Sequence, residues 1–456
     1  MKRSILLLTL LTIGACSDHE TPDEIAVLVA EEVKRTANAR SFWPRFEPMA
    51  IPLAIYDGEH TRLFWHPEAP VGFTKAEDNE RSGLVYSGRH PAMTANSTAD
   101  IGGTMTATLL VDDVKPGQSL VALAGIAIHE AFHVFQRQRH PEWAANEGAL
   151  FMYPVDSPVL LSLRRMETEA LRRALEMSDP LESECWTRLA LSLRAERLSE
   201  MDAQFAEYER GTELNEGLAT YVQHKADERG TVTVPTGGFG ATEVRPRAYV
   251  TGAAFAMLLD RINSGWRAQF DADGRQSLDQ TLQSNLTSRA RTPGDTCEFT
   301  AAETLAASQR ALSDVAAVEA ARNERRTRFD HREAWRLVVK AEDGKPLQPQ
   351  GFDPLNVERV QGGILHTRFL RLGNDQGYLE VIDTGDVDIE ALTVGAGPHP
   401  LFDGIEEVTI VGFVEQELTA GDDYIFVQIP GLKVEFRPAS IQRNVGETVI
   451  QLKQTQ

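Results

Sequence analysis

Residues 126–136 read Ile-Ala-Ile-His-Glu-Ala-Phe-His-Val-Phe-Gln, and no other run constrains the chain as much. Leu120, Val121, Leu123, Ile126, Ile128, Phe132, Val134 and Phe135 cover most faces of a helix drawn through 119–138, so such a helix has to be buried. His129, Glu130 and His133 go inside with it, which is costly unless each finds a partner. The fold must therefore wrap this helix and bring further polar groups to it. With 456 residues, 42% hydrophobic and 25% charged, the chain has enough material for two or three domains and a sizeable core.

His129 and His133 stand at i and i+4, so one helix face presents both imidazoles to one point. Neutral imidazole nitrogens at this spacing suit a tetrahedral zinc ion, and the ligand set favours zinc over other divalent metals. Glu130 follows the first histidine and can serve as general base toward water at the metal. A catalytic site for one Zn2+ takes three protein ligands and keeps a fourth position open. Three glutamates downstream are candidates for the third ligand. Glu147 lies in Asn146-Glu-Gly-Ala-Leu, Glu169 in the helical run Arg164-Arg-Met-Glu-Thr-Glu, and Glu216 in Glu213-Leu-Asn-Glu-Gly-Leu-Ala-Thr-Tyr221. Glu147 leaves the chain little room to return past Pro141.

Asn215-Glu216-Gly217-Leu-Ala-Thr-Tyr-Val222 resembles the second zinc helix of the gluzincin metallopeptidases, the aminopeptidase N group in particular. Ala248-Tyr249-Val-Thr-Gly252-Ala253 resembles that group's Tyr-x-x-Gly helix start. The resemblance implies a zincin-like fold, Glu216 as third ligand and Tyr249 as donor to the developing oxyanion; a phenol is a neutral donor suited to that task. Two departures stand out. Residues 134–215 separate the two zinc segments, far more than that group's spacer, and two extra helices must fit there. Thr106, in Gly102-Gly-Thr-Met-Thr106, stands where the group carries the glutamate that grips a free α-amine. The likeness thus reaches peptide hydrolysis but not aminopeptidase specificity. A strand over 103–111, placed at a sheet edge, would bind an extended peptide by strand addition.

The chain reads as α+β. A helix over 23–40 precedes short alternating runs at 51–55, 62–65, 84–86 and 105–111, the strands of one sheet. Helical patterns follow at 119–138, 158–177, 181–209, 213–228, 247–263 and 301–328. Strand signals return beyond Ala334, at 363–372, 378–382, 408–414, 424–429 and 434–436, as expected of a sandwich or small barrel. The expected division is a signal peptide over 1–15, a tether over 16–23, a zincin-like metallopeptidase domain over 24–333 and an all-β domain over 334–456. His140 and His224 read as surface helix residues, and the acidic residues of 181–209 as a solvated face. Trp143 and Tyr153 read as core.

Met1-Lys-Arg3 and the apolar run Ser4–Ile13 form an export signal too short to span a bilayer. Its end, Ile13-Gly-Ala-Cys16, resembles the lipobox of bacterial lipoproteins, which implies acylation of Cys16. Ser17 is not the aspartate of inner-membrane retention, so the expected place is the cell envelope, at the periplasmic face of the outer membrane. Membrane contact is expected through the lipid alone. Of three cysteines, Cys185 and Cys297 then remain, and an oxidising compartment favours their pairing. A net charge of -21 disfavours a nucleic-acid partner.

The functional expectation is a zinc-dependent hydrolase acting on a peptide or protein substrate. Two other readings stay open at this level. One is a non-catalytic zinc-containing envelope lipoprotein whose β domain binds a partner, and the intact Glu130 speaks against it. The other is a zinc hydrolase of non-peptide amide or ester bonds.

Overall fold

Alternating apolar residues and glycine-bearing turns organise the first part of the chain into one mixed sheet. In the computed structural model the described residues are 22–76, 83–111, 118–286, 297–353, 356–383, 388–413, 419–420 and 424–453. The export segment, Cys16 and nearly all of the expected tether lie outside them. A helix begins at Pro22 and runs to Ala39, one residue earlier than the pattern suggested. It is followed by β1 (Leu53–Tyr56), β2 (His60–Phe64), β3 (Thr74–Lys75), β4 (Leu84–Ser87), β5 (Ser97–Ile101) and β6 (Thr104–Leu110). Their order across the sheet is β3-β4-β2-β1-β6-β5. β1 runs parallel to β6, with Leu53 opposite Ala107, and the other pairs are antiparallel. The expected edge position of 103–111 is therefore incorrect: β6 is paired on both sides, and β5 closes the sheet through the tight Gly102-Gly103 turn.

Packing gathers the described residues into two units. The first comprises the described residues within Met1–Ala144, Thr212–Thr233 and Ala248–Ser288, the second those within Ala145–Gly211, Val234–Arg247 and Arg289–Gln456. This grouping departs from the division expected at 333/334. The change in composition falls there, but buried faces run across it: Phe329, at the end of the helix Ala301–Asp330, packs with Val360, Leu365, Leu392 and Val411 of the β region.

The first unit holds the sheet, the helix Pro22–Ala39 and the long helix Leu120–Arg139, with Trp43, Phe132, Trp143, Trp266 and Phe270 forming an edge-to-face aromatic core. His140 belongs to that core and not to the surface. It stacks on Trp143 with ring centroids 3.9 Å apart and meets Asp271 at 2.9 Å, where Trp43 also donates. Two helices that the periodicity missed, Trp266–Asp273 and Leu278–Asn285, complete the unit.

In the second unit two sheets face each other as a sandwich. One has seven strands in the order Ala439–Asn444, Glu447–Leu452, Trp335–Lys340, Ile405–Phe413, Glu390–Gly395, Gly363–His366, Val357–Val360. The other has six, in the order Thr419–Ala420, Ile425–Ile429, Leu432–Phe436, Gly377–Ile382, Phe369–Asn374, Gln348–Phe352. Leu337, Ile364, Ile410 and Ile450 of the first meet Leu370, Leu379, Val427 and Val434 of the second in one core. Cys185 and Cys297 form a disulfide with Cα atoms 5.7 Å apart.

The helices of this unit enclose ion pairs. The helix expected over 181–209 is broken into Pro180–Ser199 and Ala203–Thr212, where Ser199 turns its hydroxyl back onto the Glu196 carbonyl. The break lets Glu209 point inward, so it is not part of a solvated face. Arg197 grips it with two bonds of 2.5 and 2.8 Å and reaches Glu167 at 2.9 Å. Arg247 bridges the same two carboxylates, and Arg194 donates to Glu167. Tyr153 donates to Glu209 from within its apolar cluster, as its core reading implied. Burial opposes the charge on Glu209, but Arg197 and its neighbours outweigh it and hold the carboxyl well below the ordinary 4.5.

Glu209→Gln should cost roughly 3–5 kcal/mol, because it strands buried guanidinium charge. Since the folded group is the stronger acid, its contribution is complete above about pH 4.5 and is surrendered only as pH falls through the lower folded value. Urea unfolding of both proteins at pH 7 and at pH 4.5 checks this: a large difference at both pH values is expected.

Candidate metal centre

The helix Leu120–Arg139 starts where the Ser119 hydroxyl accepts from the Ala122 amide, and its residues 123–136 are buried with few interruptions. This rigid, enclosed element carries His129, Glu130 and His133. Their exposures are 7, 8 and 9%, so each is buried while keeping a small accessible surface.

Glu216 arrives on a different kind of turn. A continuous helix over 213–228 is the sequence expectation. The chain instead makes a π-helical turn at Glu213–Gly217 and resumes as an α-helix over Leu218–Ala226. Such wide turns occur mostly as single insertions at functional sites. This one lies at a close crossing with the helix Val244–Ile262. A Cβ on Gly217 would sit 2.6 Å from the Gly252 Cα, and a Cβ on Gly252 would sit 2.6 Å from the Glu213 carbonyl oxygen. Only two glycines permit that approach. Beside it the Thr251 hydroxyl donates to the Glu213 carboxylate at 2.8 Å, both side chains being buried.

The crossing brings Glu216 to the histidines. His129 Nε2 and His133 Nε2 are 3.1 Å apart, and Glu216 Oε2 lies 3.6 Å from the first and 3.2 Å from the second. Ligands at zinc's bond lengths around a tetrahedron are separated by about 3.3 Å, so the three atoms outline one face of such a coordination shell. Among the described residues this is the one group of three histidine, cysteine or acidic side chains that could hold a metal ion.

Burial raises the Glu130 carboxyl above its usual range, and the two imidazoles only partly offset it. A carboxylate with raised pKa is a better base. Burial alone would lower His133; the Glu216 and Glu130 carboxylates outweigh that and raise it. Tyr249 is half-buried, with its ring 6.5 Å from the His129 ring and nearly parallel to it.

The rival ligands are engaged elsewhere. Glu147 is half-exposed, accepts from the Tyr208 hydroxyl and pairs with Arg245. Glu169 pairs with Arg172 and Arg173. His224 is buried and not a surface residue; burial lowers its pKa. Three contributors escaped the sequence reading: Gln136, Glu213 and Thr251. Gln136 left a trace, as a polar residue in the inward-facing run after His133. Its amide contacts His133 Nδ1 at 2.8 Å and the carbonyls of Leu214 and Asn215 at 2.9 Å each.

Comparison of the chain with protein-family models, with curated proteins and with solved structures returned no match.

Gly252→Ala should force the two helices apart, cost about 1–3 kcal/mol and, if His129, His133 and Glu216 hold a metal ion, weaken its binding at least tenfold. Gly265→Ala, where an added Cβ meets nothing closer than 3.4 Å, should change neither. Chelator-competition titration and urea unfolding of the two variants check this.

Proposed function

We propose that this chain is a zinc-dependent peptidase of the gluzincin type, with one Zn2+ held by His129, His133 and Glu216. The observation that carries the reading is the tetrahedral-edge spacing of those three donor atoms with the buried Glu130 next in sequence to His129. Two imidazoles and one carboxylate are the donor set of a catalytic site that keeps a position open. A zinc ion held there supplies Lewis acidity, polarising a carbonyl oxygen and making water acidic enough to ionise near pH 7. Glu130 takes the proton from the attacking water and later returns it to the leaving nitrogen. Its place next to His129 on the buried helix suits both halves of that task. Tyr249, beside His129, donates its phenolic hydrogen to the oxyanion that develops on the scissile carbonyl.

The cellular place belongs to the same proposal: an exported protein anchored by a lipid on Cys16, acting in the cell envelope. The Cys185–Cys297 disulfide supports an oxidising compartment. Among the described residues no helix is long and apolar enough to cross a membrane.

Turnover of a mixed peptide library by the zinc-loaded protein tests the reading. Glu130→Gln should keep stoichiometric zinc and lose about 10²–10⁴-fold in kcat/KM; undiminished turnover would refute the assigned base. Tyr249→Phe should lower kcat by about 10²-fold with little change in KM. Full zinc occupancy with no cleavage of any peptide would sink the peptidase assignment and favour a non-catalytic zinc protein.

A further inference from the structure

The contacts of Gln136 form a chain of donors and acceptors with a single consistent direction. The carbonyl oxygens of Leu214 and Asn215 can only accept, so the Gln136 atom that meets both at 2.9 Å is the amide nitrogen. The other end of the amide is then the oxygen, and it faces His133 Nδ1 at 2.8 Å. An amide oxygen only accepts, so His133 must carry a hydrogen on Nδ1. In the neutral ring that leaves the His133 Nε2 lone pair for the point shared with His129 Nε2 and Glu216 Oε2. Gln136 is 1% exposed, so water does not compete for these bonds. The two backbone carbonyls belong to the π-helical turn Glu213–Gly217, immediately before Glu216. His129 has no such support among the described residues: its Nδ1 is buried without a hydrogen-bond partner there.

We infer that Gln136 is a positioning residue, an amide clasp that fixes the ligating tautomer of His133 and, through the carbonyls of Leu214 and Asn215, the register of the turn that presents Glu216. One side chain thereby ties two metal ligands from distant parts of the chain into one geometry. The part that concerns metal affinity rests on the zinc reading above; the part that concerns the tautomer does not. Partners of this kind around metal ligands set affinity over about 10–100-fold.

Two variants separate the halves of the clasp. Gln136→Met has similar length and no polar end. Gln136→Glu keeps an acceptor for His133 Nδ1 but turns a carboxylate toward two carbonyl oxygens. The first measurement is the ¹⁵N-edited proton spectrum of the metal-free and the zinc-loaded full chain. It should contain a downfield, slowly exchanging ring N–H assigned to His133 Nδ1, retained in Gln136→Glu and lost in Gln136→Met. The second is zinc affinity by chelator competition, which should fall about 10–100-fold in both variants. A residue that served only packing would change the unfolding midpoint and leave resonance and affinity alone. Persistence of the resonance in Gln136→Met, or zinc affinity within threefold of the parent in both variants, would overturn the inference. If the parent takes up no zinc, the metal reading fails by itself, and the resonance still decides the clasp: loss in Gln136→Met upholds it, persistence overturns it.

Discussion

Backbone meets backbone where Gly217 and Gly252 cross, and the geometry of the candidate site is downstream of that contact. With any side chain at either position the two helices would stand apart by the thickness of a methyl group or more. Glu213–Gly217 is π-helical at the crossing. That turn is wide enough to aim Glu216 at the histidines and leaves the carbonyls of Leu214 and Asn215 open to the Gln136 amide. Steric permission at two glycines is thus converted into the placement of a carboxylate.

The two units solve the same problem, charge in a low-dielectric interior, in opposite ways. In the second unit Arg194, Arg197 and Arg247 surround Glu167 and Glu209, and opposite charges answer each other directly. Such a cluster is self-sufficient. In the first unit the donors converge: two imidazole nitrogens and a carboxylate point at one place, 3.1 to 3.6 Å from each other. Glu130 borders the same place and pays for its burial with a raised pKa, which leaves it ready to accept a proton.

Much of this was legible in the sequence, and what was legible follows from periodicity. The motif helix, the first sheet and the long helix Ala301–Asp330 have sustained patterns of one period, and they form close to where expected. The failures share a cause: the deciding contact lies far away in sequence. Residues 363–372 look like a single apolar strand, yet Gly363–His366 lies in one sheet and Phe369–Asn374 in the other. Both halves face the same core, and only the short polar run His366-Thr367-Arg368, with Arg368 exposed, marks where the chain changes sheets. The strand Ala439–Asn444 is mostly polar and half-exposed, and it exists because Glu447–Leu452 pairs with it. Glu209 sits among other acidic residues, and nothing local distinguishes it from the solvated Glu207 next to Tyr208.

The candidate site shows why short motifs can be informative when taken together. Asn-Glu-Gly and Tyr-x-x-Gly are weak patterns alone, since glycine follows glutamate by chance in many chains. Their glycines turn out to touch each other. Each motif therefore pairs a residue that permits close approach with a residue carrying chemistry, one position earlier for Glu216 and one helical turn earlier for Tyr249. Because the crossing fixes both glycines, it also fixes the chemical residues, and Tyr249 comes to lie alongside His129. Gln136 is invisible to such reasoning for a related cause. Its partners are backbone carbonyls, which have no letter in a sequence, and only the fold reveals that an amide in the motif helix reaches them.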